Sequence, residues 1–139
     1  MNIASIVIAL VTAAAAFAVG AFARPAGAAT PPAEVFPLFA VLVLLESVAF
    51  GAGVAYVIRV WRRLLGSGTA PLDRALVGSV AYLLLAPWVH DYFHALTLID
   101  GVFNWPALAG IEYVFHLGVV PVGLVVAAYL RRTRSLSPA

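Results

Sequence analysis

Six ionisable side chains lie within or beside long apolar stretches of this sequence: Glu46, His90, Asp91, His94, Glu112 and His116. They include all three histidines of the chain. Imidazole and carboxylate together bind zinc, iron, manganese or copper, and either group can move a proton. The spacing narrows the chemistry. His90 and His94 are four residues apart, as are Glu112 and His116, so on helices each pair shares one face, one turn apart. Two such helices folded back on each other about Phe103 bring His90 level with His116 and His94 level with Glu112. Glu46 follows Pro37 by nine residues and His116 follows Ala107 by nine, which at helical rise puts both roughly 13 Å from the same end of their spans. The expectation is a metal held by Glu46, His90, His94, Glu112 and His116 inside a helix bundle, the way such folds build metal sites. Asp91 points to a different face and is expected to orient one of the ligands. Iron or zinc is the expected ion, with copper or manganese as further choices.

Residues so costly in an apolar setting need a scaffold that holds them together. With 64% hydrophobic and 10% charged residues in 139, the chain falls outside the range of soluble globular domains and reads as a single all-α membrane domain of four transmembrane helices. Cysteine is absent, which excludes disulfides, thiolate ligands and thiol nucleophiles. The spans are expected at about 3–23, 35–58, 72–99 and 105–130, each long enough to cross a hydrocarbon core of roughly 30 Å. Ala21, Phe22 and Ala23 resemble a signal cleavage site, yet no basic residue precedes the first run, and it is read as a retained helix. Arg24 to Glu34 is a loop with the breaker Thr30, Pro31, Pro32, and Gly66 to Gly68 is a turn followed by Thr69 as N-cap. Trp88 to Ile99 keep a helical mix of residues, so the third helix is expected to continue past a kink at Pro87 to a stop at Asp100 and Gly101. Asn104 and Pro106 start the fourth, and Pro121 kinks it. Ala16 with Gly20, and Ala49 with Gly53, have the small-xxx-small spacing of closely packed membrane helices.

Seven of the eight arginines lie after the second span, at the start of the third or after the fourth. The positive-inside rule then puts both termini in the cytoplasm, and the excess of alanine and arginine points to a prokaryote and so to its inner membrane. Trp88, Tyr92, Phe93, Phe103 and Trp105 are expected at the outer interface. Arginines beside apolar runs are membrane flanks, so nucleic acid is not an expected partner. The bilayer is, together with a lipid-soluble small molecule or further membrane subunits.

His90, Asp91, Tyr92, Phe93 and His94 resemble one histidine box of the membrane di-iron desaturases and hydroxylases. That family draws on several boxes, and three histidines do not fill its pattern, so its activity is not carried over. Soluble di-iron bundles pair Glu with His three residues on, whereas Glu112 and His116 are four apart. Besides a metalloprotein acting in redox chemistry or on a lipid-soluble substrate, the residues leave open a b-type haem with His90 and His116 as axial ligands. A non-enzymatic accessory or assembly subunit of a larger complex is a further class. Ion transport through Glu46 and the histidines is disfavoured, because the arginine-side half of the spans is nearly devoid of ionisable groups.

The topology is testable with reporter tags. Tags at either terminus should report from the cytoplasm, and a tag inserted between Arg24 and Glu34 from outside; an external C-terminus would refute the arrangement.

Overall fold

A backbone in hydrocarbon must satisfy its own hydrogen bonds, and helices do so within one segment. The computed structural model describes residues 2–23, 27–28, 32–65, 68 and 70–135, and four long helices account for most of them: α1 (Ile3–Phe22), α2 (Phe36–Leu65), α3 (Pro71–Ala95) and α4 (Trp105–Ser135). All four are long and apolar enough to span a membrane. A two-stranded hairpin, β1 (Leu98–Ile99) and β2 (Val102–Phe103), joins α3 to α4. Arg24, Thr30, Pro31, Gly66 and Thr69, on which several loop and cap expectations rest, lie outside the described residues.

Local chemistry sets the helix starts. Asn2 caps α1, its side chain accepting from the Ser5 amide at 2.9 Å. Asn104 does the same for α4, accepting from the Ala107 amide at 3.2 Å. Ala70 occupies the cap position of α3, and Pro71 takes the first helical position, where its missing N–H costs nothing.

The third helix does run through Pro87, but it ends at Ala95 and not at Ile99. Thr97 closes the end, its hydroxyl donating to the His94 carbonyl at 2.7 Å and its amide to the same carbonyl at 3.0 Å. The chain then reverses at Asp100 and Gly101, both at positive φ (51° and 76°), between the paired residues Ile99 and Val102. This is the geometry of a two-residue type I′ turn, for which Asp-Gly is a preferred sequence. The pivot therefore precedes Phe103. Opposite it, the Asp100 amide donates to the Gly27 carbonyl at 2.7 Å and Ala28 bridges Ile99. The α1–α2 connection and the α3–α4 hairpin thus meet at one end of the molecule, the hairpin end.

Packing follows chain order, α1 on α2, α2 on α3 and α3 on α4. Small residues carry it. Ala16, Gly20, Ser47, Gly51, Gly53, Ala55, Ser79 and Ala81 are buried, and the Ser47 hydroxyl donates back to the Val43 carbonyl at 2.6 Å. Of the expected small pairs, Ala16 and Gly20 are both buried, and α1 and α2 also touch closely at Gly51: a Cβ there would collide with the Ala9 carbonyl and come within 2.8 Å of Ala13 Cβ. Trp88, expected at an interface, packs between helices, 4.8 Å from the Phe50 ring and stacked on Tyr92 at 5.2 Å. α2 is the most buried helix and α4 the least.

Gly51→Ala should therefore lower thermal stability in detergent by about 1–3 kcal/mol through overpacking. Gly78→Ala, where a Cβ meets nothing within 4 Å, should leave it unchanged or raise it by up to about 1 kcal/mol. Equal effects of the two would rule out the close α1–α2 contact.

Candidate functional site

The α3–α4 seam is fastened by a hydrogen bond from the Tyr82 hydroxyl to the Phe115 carbonyl at 2.6 Å. Between that bond and the hairpin, four of the expected ligands meet. The Glu112 carboxylate is the common point: Oε1 is 3.5 Å from His90 Nε2 and 3.3 Å from His94 Nε2, and Oε2 is 3.0 Å from His116 Nδ1. Ring centroids of His90 and His94 are 5.6 Å apart, and those of His90 and His116 are 6.0 Å apart. Exposure rises outward across the group, from 15% for the His90 side chain through 36% for Glu112 to 47% for His94 and 65% for His116. The cluster therefore begins inside the seam and opens at its edge.

Helix geometry explains the convergence. The four-residue spacing holds each pair on one face, and the antiparallel hairpin brings the faces together near the same end. The earlier pivot makes Glu112, more than His116, the nearest partner of His90.

The ring orientations have identifiable causes. His90 Nδ1 is 3.0 Å from Asp91 Oδ1, so it donates to that carboxylate and leaves the lone pair on Nε2. That Nε2 atom is buried and has no hydrogen-bond partner. His116 Nδ1 faces two acceptors, the Glu112 carbonyl at 2.9 Å and the Glu112 carboxylate at 3.0 Å. A carbonyl oxygen cannot donate, so Nδ1 carries the hydrogen and the lone pair is on Nε2. An imidazole that donates from one nitrogen to a carboxylate or backbone carbonyl while offering the other is how metal-binding histidines are oriented.

Glu46 goes elsewhere. It lies beside Asp91, and the two line a small crevice with Gly20, Val43, Trp88 and Tyr92. Glu46 is thus linked to the cluster only through Asp91 and His90. No signal in the sequence pairs Glu46 with Asp91 beyond their similar depth.

Among the described residues, no group of three or more His, Asp or Glu is arranged so as to hold a metal ion. The imidazoles are closed on the Glu112 oxygens. Even so, the separations from Glu112 Oε1 to His94 Nε2 and His90 Nε2, 3.3 Å and 3.5 Å, match the roughly 3.3–3.6 Å between neighbouring ligand atoms around a tetrahedral ion with bonds near 2.0–2.2 Å; the 3.0 Å contact of His116 is made by Nδ1, the nitrogen that carries its hydrogen. Comparison with family models, with curated proteins and with solved structures returned no match, so the reading of this site rests on its own geometry.

Proposed function

We propose that the chain is a small multi-pass membrane metalloprotein whose ion is held across the α3–α4 seam by His90, His94, Glu112 and His116, and which acts in redox chemistry or on a lipid-soluble substrate. One observation carries the reading most. His90 Nε2 is buried, unpartnered and faces a carboxylate oxygen at 3.5 Å, an arrangement of two acceptors that a cation between them makes favourable. Asp91, beside Glu46, holds the His90 ring through Nδ1 and so fixes the direction of Nε2. Imidazole and carboxylate suit zinc or iron first, and copper or manganese after them. Haem b is the weaker choice: the Glu112 side chain stands between His90 and His116, where a porphyrin would have to lie. The membrane we propose is the prokaryotic inner membrane, with both termini cytoplasmic and the site in the outer half, as the arginine distribution favours.

A second reading has its own support. The Glu112 contacts, closed as they stand, are also what a metal-free latch between α3 and α4 would look like, as in an accessory or assembly subunit.

Elemental analysis of the detergent-purified protein separates the two. The metal reading expects about one iron or zinc per chain, with occupancy weakening on acidification because the imidazoles must be neutral. His90→Ala and Glu112→Gln should each sharply lower occupancy, and the double substitution should cost little more than either, because both serve one site. Asp91→Ala should weaken binding by roughly 10–100-fold, whereas Glu46→Gln should leave metal content nearly unchanged. A wild-type protein that stays metal-free in excess zinc and ferrous iron would sink the metal reading in favour of the latch.

A further inference from the structure

Helix α4 docks on α3 through one row of residues. The Phe115 ring packs on Tyr82 at 6.4 Å, a Cβ at Gly118 would collide with the Tyr82 hydroxyl, and Val122 is buried. Two residues out of step, and so on the opposite face of the helix, a second row repeats with alternating spacings of four and three: Ala109, Tyr113, His116, Val120, Gly123 and Ala127. All of them but the half-buried Ala127 are exposed. That spacing is the seam of a left-handed helix pair, in which each side chain of the row enters a space between four residues of the facing helix. The small residues suit close approach of two membrane helices, and a Cβ on Gly123 meets nothing within 4 Å.

Two polar side chains stand in this row. Tyr113 and His116 follow Trp105 by eight and eleven residues, roughly 12 and 16 Å along the helix, which is inside a hydrocarbon core of roughly 30 Å. Tyr113 is 67% exposed and the His116 side chain 65%. Among the described residues the Tyr113 hydroxyl has no hydrogen-bond partner. His116 Nδ1 is held on the Glu112 carbonyl and carboxylate. The two nitrogens of an imidazole point in nearly opposite directions, so Nε2 is turned away from Glu112, and it too lacks a partner among the described residues. An unused donor and an unused acceptor are costly against lipid, which offers neither.

We propose that two copies of this chain pair through the outer row of α4, side by side and equally oriented in the membrane, with each His116 Nε2 bonded to the Tyr113 hydroxyl of the other copy. A two-fold axis along the membrane normal sets the row against itself in register, and the space that receives His116 then has Tyr113 of the second copy as one of its walls. The patch complements itself: one donor and one acceptor are each satisfied twice in the pair, which is what selects a second copy over an unrelated apolar helix. A phenol both donates and accepts, so the contact serves both states of the proposed metal site. With Nδ1 carrying the hydrogen, the phenol donates to Nε2. With an ion on Nδ1, the hydrogen is on Nε2 and the phenol oxygen accepts it, the usual support of a metal-bound imidazole. The pairing itself stands on the row and does not depend on the metal.

Because the chain has no cysteine, an introduced thiol is the only one present. Ala109→Cys and Gly123→Cys place it on the row, and Val114→Cys and Ala128→Cys place it on exposed positions of α4 off the row. Iodine oxidation of the full chain in phosphatidylcholine vesicles should convert the first two largely to covalent dimers and the other two far less. Energy transfer between donor- and acceptor-labelled chains, followed as lipid is added, gives the strength of pairing. Tyr113→Phe should weaken it roughly fivefold to tenfold, the effect of two interhelical hydrogen bonds lost per pair. The phenyl ring keeps the packing, and a hydroxyl without a role between copies predicts no change. Equal trapping at all four positions, wild-type pairing in Tyr113→Phe, or a monomer at every dilution would overturn the proposal. Both measurements are repeated with a chelator. Pairing by a chain that binds no metal supports this interface while the metal reading fails, and a metal-loaded chain that stays monomeric has the opposite meaning.

Discussion

Hydrocarbon supplies neither a hydrogen bond nor a counter-charge, and that constraint governs the backbone and the ionisable side chains alike. The backbone meets it with four helices and a short hairpin whose turn lies at their end. The side chains meet it by finding one another. Glu46 lies beside Asp91, Asp91 bonds His90, and Glu112 gathers His90, His94 and His116. Six ionisable groups from three helices form one connected series, and each would be costly if left alone in a membrane span.

Two modes of packing serve this arrangement. On the α1–α2 side, small residues let backbones touch, as at Gly51 against Ala9 and Ala13, the device membrane helices use where apolar burial gives no advantage over lipid. On the α3–α4 side the helices stand further apart. The Tyr82 to Phe115 hydrogen bond, the polar cluster and, toward the other end, an ion pair between Arg132 and Asp73 at 3.7 Å hold the seam, and an apolar groove lies along it. The side chains with chemistry to offer are therefore on the seam with the most room.

Depth along the membrane was legible in the sequence, but rotation about a helix axis was not. Four-residue spacings and span lengths were enough to set His90, His94, Glu112 and His116 at neighbouring levels, and a helix through Pro87 followed from the residues after it. Glu46 also had the right level, yet nothing in its spacing said which side of α3 it faces, and it meets Asp91 instead of the imidazoles. The hairpin was misplaced for a different reason. Asp100 and Gly101 were read as a helix stop, whereas Asp-Gly flanked by Ile99 and Val102 is equally a β-turn signature, and the bridge from Ala28 to Ile99 favours the extended form. That tertiary pairing is not readable from the segment itself.

The distribution of the cluster between helices has a thermodynamic consequence. His90 and His94 belong to α3, Glu112 and His116 to α4, and α4 is the least buried helix, packing chiefly on α3. Anything that binds all four side chains must bind the docked hairpin better than a splayed one, so its binding free energy appears also as docking of α4. The same linkage runs in reverse: a groove occupant that sets the helix separation alters how closely Glu112 approaches His90. Neither effect requires a second domain or a moving loop. A site placed within one of the tightly packed seams would lack this coupling, because helices already in backbone contact have no separation left to adjust.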